Sequence, residues 1–241
     1  MDKITKLKEI IDNNSNIVLF TGAGVSTESG IKDFRSKDGL YNTKYKFPPE
    51  EILSHTFFLN NTSEFYRFYK DKLDSRNINP NSFHKYLKEL EDDHKLKAII
   101  TQNIDGLHTK VGNTNVYEIH GSIYRNRCMK CGKSYDVDKV FNSKDVPKCN
   151  CGGIIKPDVV LYEEELDSEL IYKSIDAISN ADVLIVAGTS LTVYPASSFI
   201  RYFKGKNMIL INRDSTPYDN IATLVINDEL KNVVKKLKET K

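Results

Sequence analysis

The sequence lacks any hydrophobic run long enough to cross a lipid bilayer. Its longest apolar runs lie at residues 17–20 and 183–187, whereas a membrane-spanning helix needs roughly 20 apolar residues. The first residues, MDKITKLKEIIDNN, also lack the apolar core and the small-residue cleavage site of a secretory signal. From these absences we expect a cytoplasmic protein with no membrane partner.

The chain also lacks a strong excess of charge. Its 35 lysines and arginines and its 33 aspartates and glutamates leave a formal net charge of only +2. Such a balance gives no reason to expect a specific nucleic-acid partner. No internal repeat or low-complexity linker divides the 241 residues, which suffice for one large core with a smaller module inserted. We therefore expect a single domain over residues 1–241, acting as a monomer.

Cysteine is scarce, and its four copies stand in two close pairs. Cys128 and Cys131 form a C-x-x-C motif, and Cys149 and Cys151 form a C-x-C motif. In an intracellular chain such pairing favours metal binding over disulfides, although free thiols or a redox pair remain alternatives. Four thiolates suit a closed tetrahedral zinc site, which adds folding energy to a segment too small for its own core. We predict that the four cysteines bind a structural zinc ion.

Short apolar runs alternate with amphipathic segments along most of the chain. Runs at residues 16–20, 181–187 and 207–211 each end in small or polar residues. This alternation indicates a mostly parallel sheet with helices on both faces, an α/β fold. Further strands are predicted at residues 97–100, 115–119 and 223–226, and helices at 4–13, at 195–203 and from 228 onward. We interpret two interrupting stretches as a helical insertion over residues 36–93 and a cysteine-bearing insertion over 121–156.

A glycine-rich segment, GAGVSTESGIKDFRS, follows the first predicted strand at residues 22–36. Its backbone amides could hold a pyrophosphate at the start of a helix. The segment is not the G-x-G-x-x-G motif, because Thr27 stands where the third glycine would be, and an ordinary turn remains an alternative. The planar guanidinium of Arg35, next to Asp33 and Phe34, could bind a phosphate. The spacing therefore favours a phosphate-binding loop over a plain turn.

Further polar residues follow the strand near residue 100. Gln102, Asn103 and Asp105 lie in the segment TQNIDGLH, and ligands of open α/β sheets bind at the carboxyl ends of strands. An Asn-Ile-Asp-Gly turn would explain the same residues without a ligand. His120 follows another short strand, and it can be a packed core residue or, with its near-neutral pKa, a general base if the pocket reaches it.

Taken together, these segments resemble the motifs of the sirtuins, a family of NAD-dependent protein deacylases. The matching segments are GAGVSTESGIKDFRS, TQNIDGLH, the His-Gly of EIHGS, the four cysteines, IIKPDVVLY and GTSLTVYP. The resemblance covers nearly the whole chain, and chance does not explain the joint order and spacing. It implies a large Rossmann-like domain with a parallel sheet and a small module of zinc ribbon and helices. NAD and an acyl-lysine peptide would meet in the cleft between them.

The resemblance also implies which residues contact NAD. Gln102 would hold the nicotinamide-side ribose, Asp105 would accept a hydrogen bond from the carboxamide, and Asn212 would bind the adenine ribose. The full implied set is Gly22, Ala23, Gly24, Thr27, Asp33, Phe34, Arg35, Gln102, Asn103, Ile104, Asp105, His120, Gly188, Thr189, Ser190 and Asn212.

The family mechanism assigns two catalytic residues, Asn103 and His120. Nicotinamide leaves the bound NAD, and the acyl oxygen of the lysine attacks the ribose carbon. His120 would then act as general base on a ribose hydroxyl, giving nicotinamide, free lysine and O-acetyl-ADP-ribose from an acetylated protein or peptide. Val160, Tyr162 and Glu163 would bind the peptide backbone by strand addition.

Two departures from the family pattern affect these expectations. Lys32 stands where the family usually has proline, so the first loop is expected to be more mobile when empty. Glu163 stands where the family usually has glycine, which we expect to alter peptide affinity or to favour basic flanking residues.

The expected acyl group is acetyl or a longer neutral chain rather than succinyl. The desuccinylase branch resembles Tyr-x-x-Arg on a helix of the small module, whereas this chain has Tyr66-Arg67-Phe68-Tyr69. These aromatic residues can also be plain helix core.

Three other functions are open to test. A protein ADP-ribosyltransferase would use the same NAD chemistry, and a zinc-and-NAD binding module would use none. A dehydrogenase is disfavoured because the G-x-G-x-x-G motif is missing.

Overall fold

The predicted apolar runs form the strands of a six-stranded parallel sheet. A computed structural model describes residues 2–34, 39–42 and 45–240. The described strands are β1 (Ile17–Thr21), β2 (Leu96–Thr101), β3 (Val116–Glu118), β4 (Gly121–Cys128), β5 (Ser134–Tyr135), β6 (Ile155–Val159), β7 (Val183–Ala187), β8 (Asn207–Ile211) and β9 (Leu224–Ile226). The main sheet has the order β3-β2-β1-β7-β8-β9, and every pairing in it is parallel. The predicted α/β fold class is confirmed.

Helices occupy most of the connections between the strands. The described helices are α1 (Lys3–Asp12), α2 (Pro49–Ile52), α3 (His55–Asn60), α4 (Thr62–Lys72), α5 (Ser82–Asp92), α6 (Leu107–Lys110), α7 (Val137–Phe141), α8 (Ser168–Asn180) and α9 (Leu230–Glu239). Shorter 3₁₀ segments lie at Ala23–Val25, Thr27–Ser29, Leu40–Asn42, Ala196–Tyr202 and Asp219–Ile221. Among the described residues, no helix is both long and apolar enough to span a membrane.

The helix predicted at residues 195–203 is a 3₁₀ segment instead of an α-helix. The backbone N–H of Ser198 donates to the Pro195 carbonyl at 3.0 Å, and its hydroxyl donates to the same oxygen at 2.6 Å. These bonds to a carbonyl three residues back tighten the first turn, because serine hydroxyls compete for backbone carbonyls.

The central strands β1 and β7 are buried along their whole length. Side chains of α1, α5 and α9 cover one face of the sheet, and side chains of α8 and of Ala196–Tyr202 cover the other. A strand covered on both faces must be apolar at every position instead of alternating. The runs IVLF and VLIVA satisfy that requirement.

The connections change direction between β1 and β7. From β1 the chain moves outward through β2 to β3, and it later returns to build β7, β8 and β9 on the other side of β1. In open α/β sheets such a switch leaves a crevice above the carboxyl ends of the two central strands. The loops that follow β1, β2 and β7 therefore meet above the sheet.

A smaller module packs above this crevice. Its three-stranded antiparallel sheet has the order β5-β4-β6, and its core also contains aromatic side chains of α3, α4 and α7. The helical insertion expected over residues 36–93 is divided between two cores. Helices α2 to α4 pack in the small module, whereas Phe83, Leu87 and Leu90 of α5 pack against the main sheet.

Candidate functional site

A cleft of about 950 Å³ lies between the loops above the main sheet and the small module. Its walls contain every described residue of the predicted NAD-binding, catalytic and peptide-binding sets. These are Gly22, Ala23, Gly24, Thr27, Asp33, Phe34, Gln102, Asn103, Ile104, Asp105, His120, Val160, Tyr162, Glu163, Gly188, Thr189, Ser190 and Asn212. Arg35 lies outside the described residues. The cleft thus brings together segments that are far apart in the sequence.

Glycines let the loops after β1 and β7 touch each other at the floor of the cleft. The backbone N–H of Gly24 donates to the Gly188 carbonyl at 2.8 Å. A Cβ atom at Gly24 would lie 2.8 Å from the Gly188 Cα, and Gly188 itself has a φ of +60°. Any larger residue at Gly24 would push the loops apart, since no side-chain atom fits at that distance.

A buried polar network joins the loops after β1 and β2. The side-chain amide of Asn103 donates to the Ser26 hydroxyl at 3.1 Å, and that hydroxyl donates to the Asp105 carboxylate at 2.7 Å. The other Asp105 oxygen accepts the backbone N–H of Leu107 at 2.9 Å. Burial raises the pKa of Asp105 and these hydrogen bonds oppose the rise. The cleft therefore ends in a buried carboxylate beside an oriented amide, a pair that can bind a planar carboxamide.

Gln102 connects three strand ends. Its side-chain N–H donates to the Thr21 carbonyl at 3.2 Å and to the Thr189 hydroxyl at 3.1 Å. Thr21 ends β1 and Thr189 follows β7. Gln102 therefore fixes the separation of the loops that a dinucleotide would bridge.

His120 stands in the cleft as a neutral base with one nitrogen available. Its Nδ1 lies 2.9 Å from the backbone carbonyl oxygen of Gln102. A carbonyl can only accept, so Nδ1 carries the hydrogen and Nε2 keeps a lone pair. Burial lowers the pKa of His120, although the hydrogen bond to Gln102 acts in the opposite direction. The side chain is thus held in the tautomer and charge state that a general base needs.

The residue after His120 must be a glycine. Gly121 has a φ of +79°, and a Cβ atom there would lie 1.9 Å from the backbone oxygen of Asp158. This close approach lets β4 and β6 pair directly beside the histidine. The His-Gly sequence therefore reflects packing at the edge of the cleft.

The segment after β6 forms the opposite wall. The backbone N–H of Val160 donates to the His120 carbonyl at 2.9 Å, and Tyr162 exchanges backbone hydrogen bonds with Leu53 and His55, both at 2.9 Å. Residues 160–162 are therefore held extended between the main domain and α3. An extended segment at the rim of a cleft can pair with a peptide backbone.

Glu163 adopts a conformation that usually favours glycine. Its φ is +75°, and its carboxylate accepts the backbone N–H of Thr56 at 2.8 Å. The Thr56 side chain and this backbone hydrogen bond lower the pKa of Glu163. The left-handed backbone costs energy for a residue with a Cβ atom, and the bond to the start of α3 offsets part of this cost.

The four cysteines come together as predicted. All four sulfurs lie within 4.8 Å of one another, with Cys128 and Cys151 at 3.5 Å and Cys131 and Cys149 at 3.6 Å. A tetrahedral zinc ion with four thiolates places its sulfurs about 3.8 Å apart. The cluster therefore fits a structural zinc ion, and the short C-x-C pair does not prevent the arrangement.

Comparisons with known proteins identify the family. The sequence model of the Sir2 family matches residues 22–195. The chain is 58% identical over 238 residues to the NAD-dependent protein deacetylase of Clostridium acetobutylicum, covering 97% of both chains. This chain belongs to the Sir2 family.

Solved Sir2 structures share the whole fold. A Sir2 structure with a deacetylated p53 peptide and 3'-O-acetyl ADP ribose has a TM-score of 0.90 at 35% identity, covering 99% of this chain and 98% of that chain. A Sir2 structure with a p53 peptide and NAD has a TM-score of 0.88 at 34% identity, with the same coverage. The relative orientation of the main domain and the small module is therefore that of the Sir2 fold.

Two residues of this Sir2 protein were missed by sequence reasoning. Ser26 is fully buried and joins Asn103 to Asp105, yet a serine in a glycine-rich loop looks like an ordinary turn residue. Tyr41 hydrogen-bonds the Tyr162 hydroxyl across the cleft. The spacing between Ser26 and the TQNIDGLH segment carries no signal for the first contact, because only the parallel pairing of β1 and β2 brings them together.

Proposed function

We propose that this Sir2 protein removes acetyl groups from protein lysines with NAD as co-substrate, releasing nicotinamide and O-acetyl-ADP-ribose. The observation that carries the proposal is the buried Asn103–Ser26–Asp105 network at one end of the cleft that contains the neutral His120. When bound, NAD would supply an electrophilic ribose carbon and a leaving nicotinamide. The residues of the chain bind, orient and exchange protons around it.

Asp105 and Asn103 would hold the nicotinamide carboxamide. The Asp105 carboxylate can accept the carboxamide N–H, while the loop backbone and Asn103 keep it oriented. Phe34 lines the same cleft and contacts the ring of Tyr41 at 5.5 Å between centroids. An aromatic ring at that position would exclude water from the reacting carbon.

His120 would take the proton from a ribose hydroxyl. Its Nε2 has the free lone pair, and its Nδ1–H is held by the Gln102 carbonyl. Fixing one nitrogen by a backbone acceptor leaves the other correctly aimed and unprotonated near neutral pH. This arrangement supports deacylation over simple NAD binding, which requires no base.

The small module supports a neutral acyl group. Tyr69 stands where the desuccinylase pattern has arginine, and it is fully buried with Tyr66 in the aromatic core. The neighbouring cations have other partners: Arg67 pairs with Glu64 at 2.5 Å, and Lys70 donates to the Ser143 carbonyl at 2.7 Å and to the Asp145 carbonyl at 2.6 Å. On the described helix α4, position 69 carries no cation to pair with a succinyl carboxylate, so we propose acetyl or another neutral acyl chain.

The deciding experiment is mass spectrometry of NAD and an acetyl-lysine peptide incubated with the protein, with His120→Ala and with His94→Asn. His94 is exposed and has a φ of +59°, which asparagine tolerates, so it is the matched control. We expect nicotinamide, deacetylated peptide and O-acetyl-ADP-ribose from the wild type and the control. We expect at least a ~100-fold loss for His120→Ala, as for removal of a general base.

Other products would point elsewhere. ADP-ribose attached to protein would identify a transferase, and no consumption of NAD with acetyl, butyryl or longer neutral acyl peptides would contradict the proposal. Faster turnover of a succinyl peptide would overturn the acyl assignment alone.

The pH dependence should follow His120. Because its pKa lies below the ordinary value of about 6.5, the neutral base persists as the pH falls to that value. We expect kcat/KM to be flat from about pH 8 to 6.5 and to fall roughly tenfold per pH unit once below the lowered pKa. Enzyme incubated at each acid pH and assayed at pH 7.5 controls for unfolding. An acid midpoint above 6.5 would contradict the assignment.

A further inference from the structure

Two buried histidines lie behind the loops of the cleft and do not line it. His84 is on α5 and His108 is on α6, and they are 0% and 2% exposed. Their ring centroids are 4.8 Å apart, with the rings tilted by 55°. Neither ring takes part in the proposed reaction, so the pair requires a separate explanation.

One ring nitrogen of His84, Nδ1, is hydrogen-bonded to Asn81. Nδ1 lies 2.9 Å from the Asn81 side-chain oxygen, which also accepts the backbone N–H groups of Phe83 and His84. That oxygen can only accept, so this contact puts the hydrogen on Nδ1. The Asn81 backbone N–H lies farther from the same nitrogen, at 3.4 Å, and would require the other tautomer. The shorter contact favours Nδ1–H, which leaves Nε2 as an acceptor.

One ring nitrogen of His108, Nε2, is within hydrogen-bond distance of Thr21. Nε2 of His108 is 3.4 Å from the Thr21 hydroxyl, which has a hydrogen to donate. If the hydroxyl donates, the hydrogen of the neutral His108 ring is on Nδ1. His84 Nε2 and His108 Nδ1 are both buried and have no hydrogen-bond partner among the described residues. One would be an acceptor and the other a donor, on two rings in contact.

We propose that Thr21, His108, His84 and Asn81 form a directional hydrogen-bond chain that positions the cofactor loops, with the two histidines as positioning residues. A single buried water that bridges His84 Nε2 and His108 Nδ1 closes the chain. It satisfies both buried atoms, which would otherwise cost stability. At the far end the Asn81 amide donates to the Val25 carbonyl at 2.7 Å.

The chain supports the same two loops that the Ser26–Asp105 bond joins on the cleft side. Val25 immediately precedes Ser26, and His108 follows Asp105 by one short turn. The polar network thus joins the two loops on the side that lines the cleft, and the histidines join them on the side away from the cleft. The expected consequence is tighter NAD binding, so this part of the inference rests on the proposed function.

The chain requires both rings to be neutral. Burial lowers the pKa of His84 to about 4, and burial together with the facing His84 lowers the pKa of His108 well below its ordinary value. The other polar groups bonded to the pair are Thr21 from β1 and Asn81 from the start of α5, and Asp105, in the loop before α6, is bonded to Ser26. Protonation would place two donors face to face, so stability from this pair should decline as the pH falls from about 6.5 toward 4.

The first test is the tautomeric state of the wild-type protein, read from ¹⁵N shifts and long-range proton couplings of the histidine rings. We expect His84 and His108 to be neutral Nδ1–H tautomers at pH 6. A protonated ring or an Nε2–H tautomer at either position overturns the chain. This measurement needs no activity and no variant, so it stands even if the substitutions fail to fold.

The second test is NAD binding by calorimetry to His108→Leu and His108→Gln. Leucine removes both nitrogens, whereas glutamine restores a donor and an acceptor, and His94→Asn is the exposed control. We expect His108→Leu to weaken NAD binding about tenfold with unchanged affinity for the acetyl-lysine peptide, and His108→Gln to recover part of the loss. A folded His108→Leu protein with wild-type NAD affinity overturns the positioning role. A wild type that binds no NAD would instead overturn the proposed function and leave the tautomer result intact.

Discussion

The main sheet and the small module are stabilised by different means. The main sheet buries continuous aliphatic runs in β1 and β7 between two layers of helices. The small module has only three strands, one of them the two-residue Ser134–Tyr135, and relies on aromatic side chains around α4 and on four clustered cysteines. A large apolar sheet supplies its own folding energy, whereas a small segment with few strands gains stability from a bound metal.

This difference has a consequence for function. His120 and the loops that would bind NAD are attached to the main sheet, but the wall at residues 160–162 is shared with the small module through Leu53 and His55. The stability of one side of the cleft therefore depends on the main sheet, and that of the other side depends on the aromatic core and the cysteine cluster of the small module.

Loss of the zinc cluster should have the largest effect. Cys128→Ser removes one of four thiolates, and zinc binding in small zinc domains is worth about 10–16 kcal/mol. We expect loss of zinc, loss of deacetylase activity and loss of hydrogen-exchange protection in β4, β6 and α4, while β1, β7 and β8 stay protected. Metal content and exchange mass spectrometry measure this.

The matched control is Met129→Leu, at a half-exposed position in the same knuckle. It should keep zinc and activity. If Cys128→Ser instead unfolded the main sheet to the same extent as the small module, the two regions would be one cooperative unit and the comparison would be wrong.

Truncation of one core residue in each region should have the second-largest effect, and each truncation should destabilise mainly its own region. Leu184 in β7 and Phe65 in α4 are both fully buried, and truncation to alanine costs about 2–5 kcal/mol at such sites. Leu184→Ala should lower the global free energy of unfolding. Phe65→Ala should increase exchange mainly in α3, α4 and α7, with β7 little changed. Equal loss of protection everywhere in both variants would contradict this division.

The sequence predicts much of this architecture because the signals are local. The unbroken apolar runs of β1 and β7 identify strands covered on both faces, and the spacing of Cys128, Cys131, Cys149 and Cys151 identifies a metal cluster. The cleft residues follow from the position of polar residues at strand ends together with the family resemblance. The strand and cysteine inferences depend on short segments, whereas the family resemblance depends on the order of motifs along nearly the whole chain.

The remaining features depend on contacts between distant segments. The apolar face of α5, with Phe83, Leu87 and Leu90, fits either core equally well, so periodicity could not assign it to the main sheet. The Ser26–Asp105 bond joins residues 79 positions apart. The left-handed conformation of Glu163 has no signal in the residue itself, since glutamate rarely adopts it; only the glycine that the family usually has at this position points to it.

The smallest predicted effect concerns Glu164, which ties the wall at residues 160–162 to the small module. Its carboxylate accepts hydrogen bonds from His55 at 2.8 Å, Lys156 at 3.0 Å and the Leu161 backbone at 2.9 Å. Burial alone would raise the pKa of Glu164, but these bonds outweigh it and lower the pKa.

A lowered carboxyl pKa means that the stabilisation is present above the unfolded-state value and is lost as the pH falls through the folded-state value. Glu164→Gln should therefore reduce the free energy of unfolding of the small module by about 1 kcal/mol at pH 7, allowing for partial exposure. At about pH 3, below the ordinary glutamate pKa of about 4.3, the difference from wild type should shrink, because the unfolded-state carboxyl is then protonated and must lose its proton on folding. The exposed neighbour Glu165→Gln is the control, with no expected change at either pH. A Glu164→Gln deficit that is the same at both values would show that shape, and not charge, holds the wall in place.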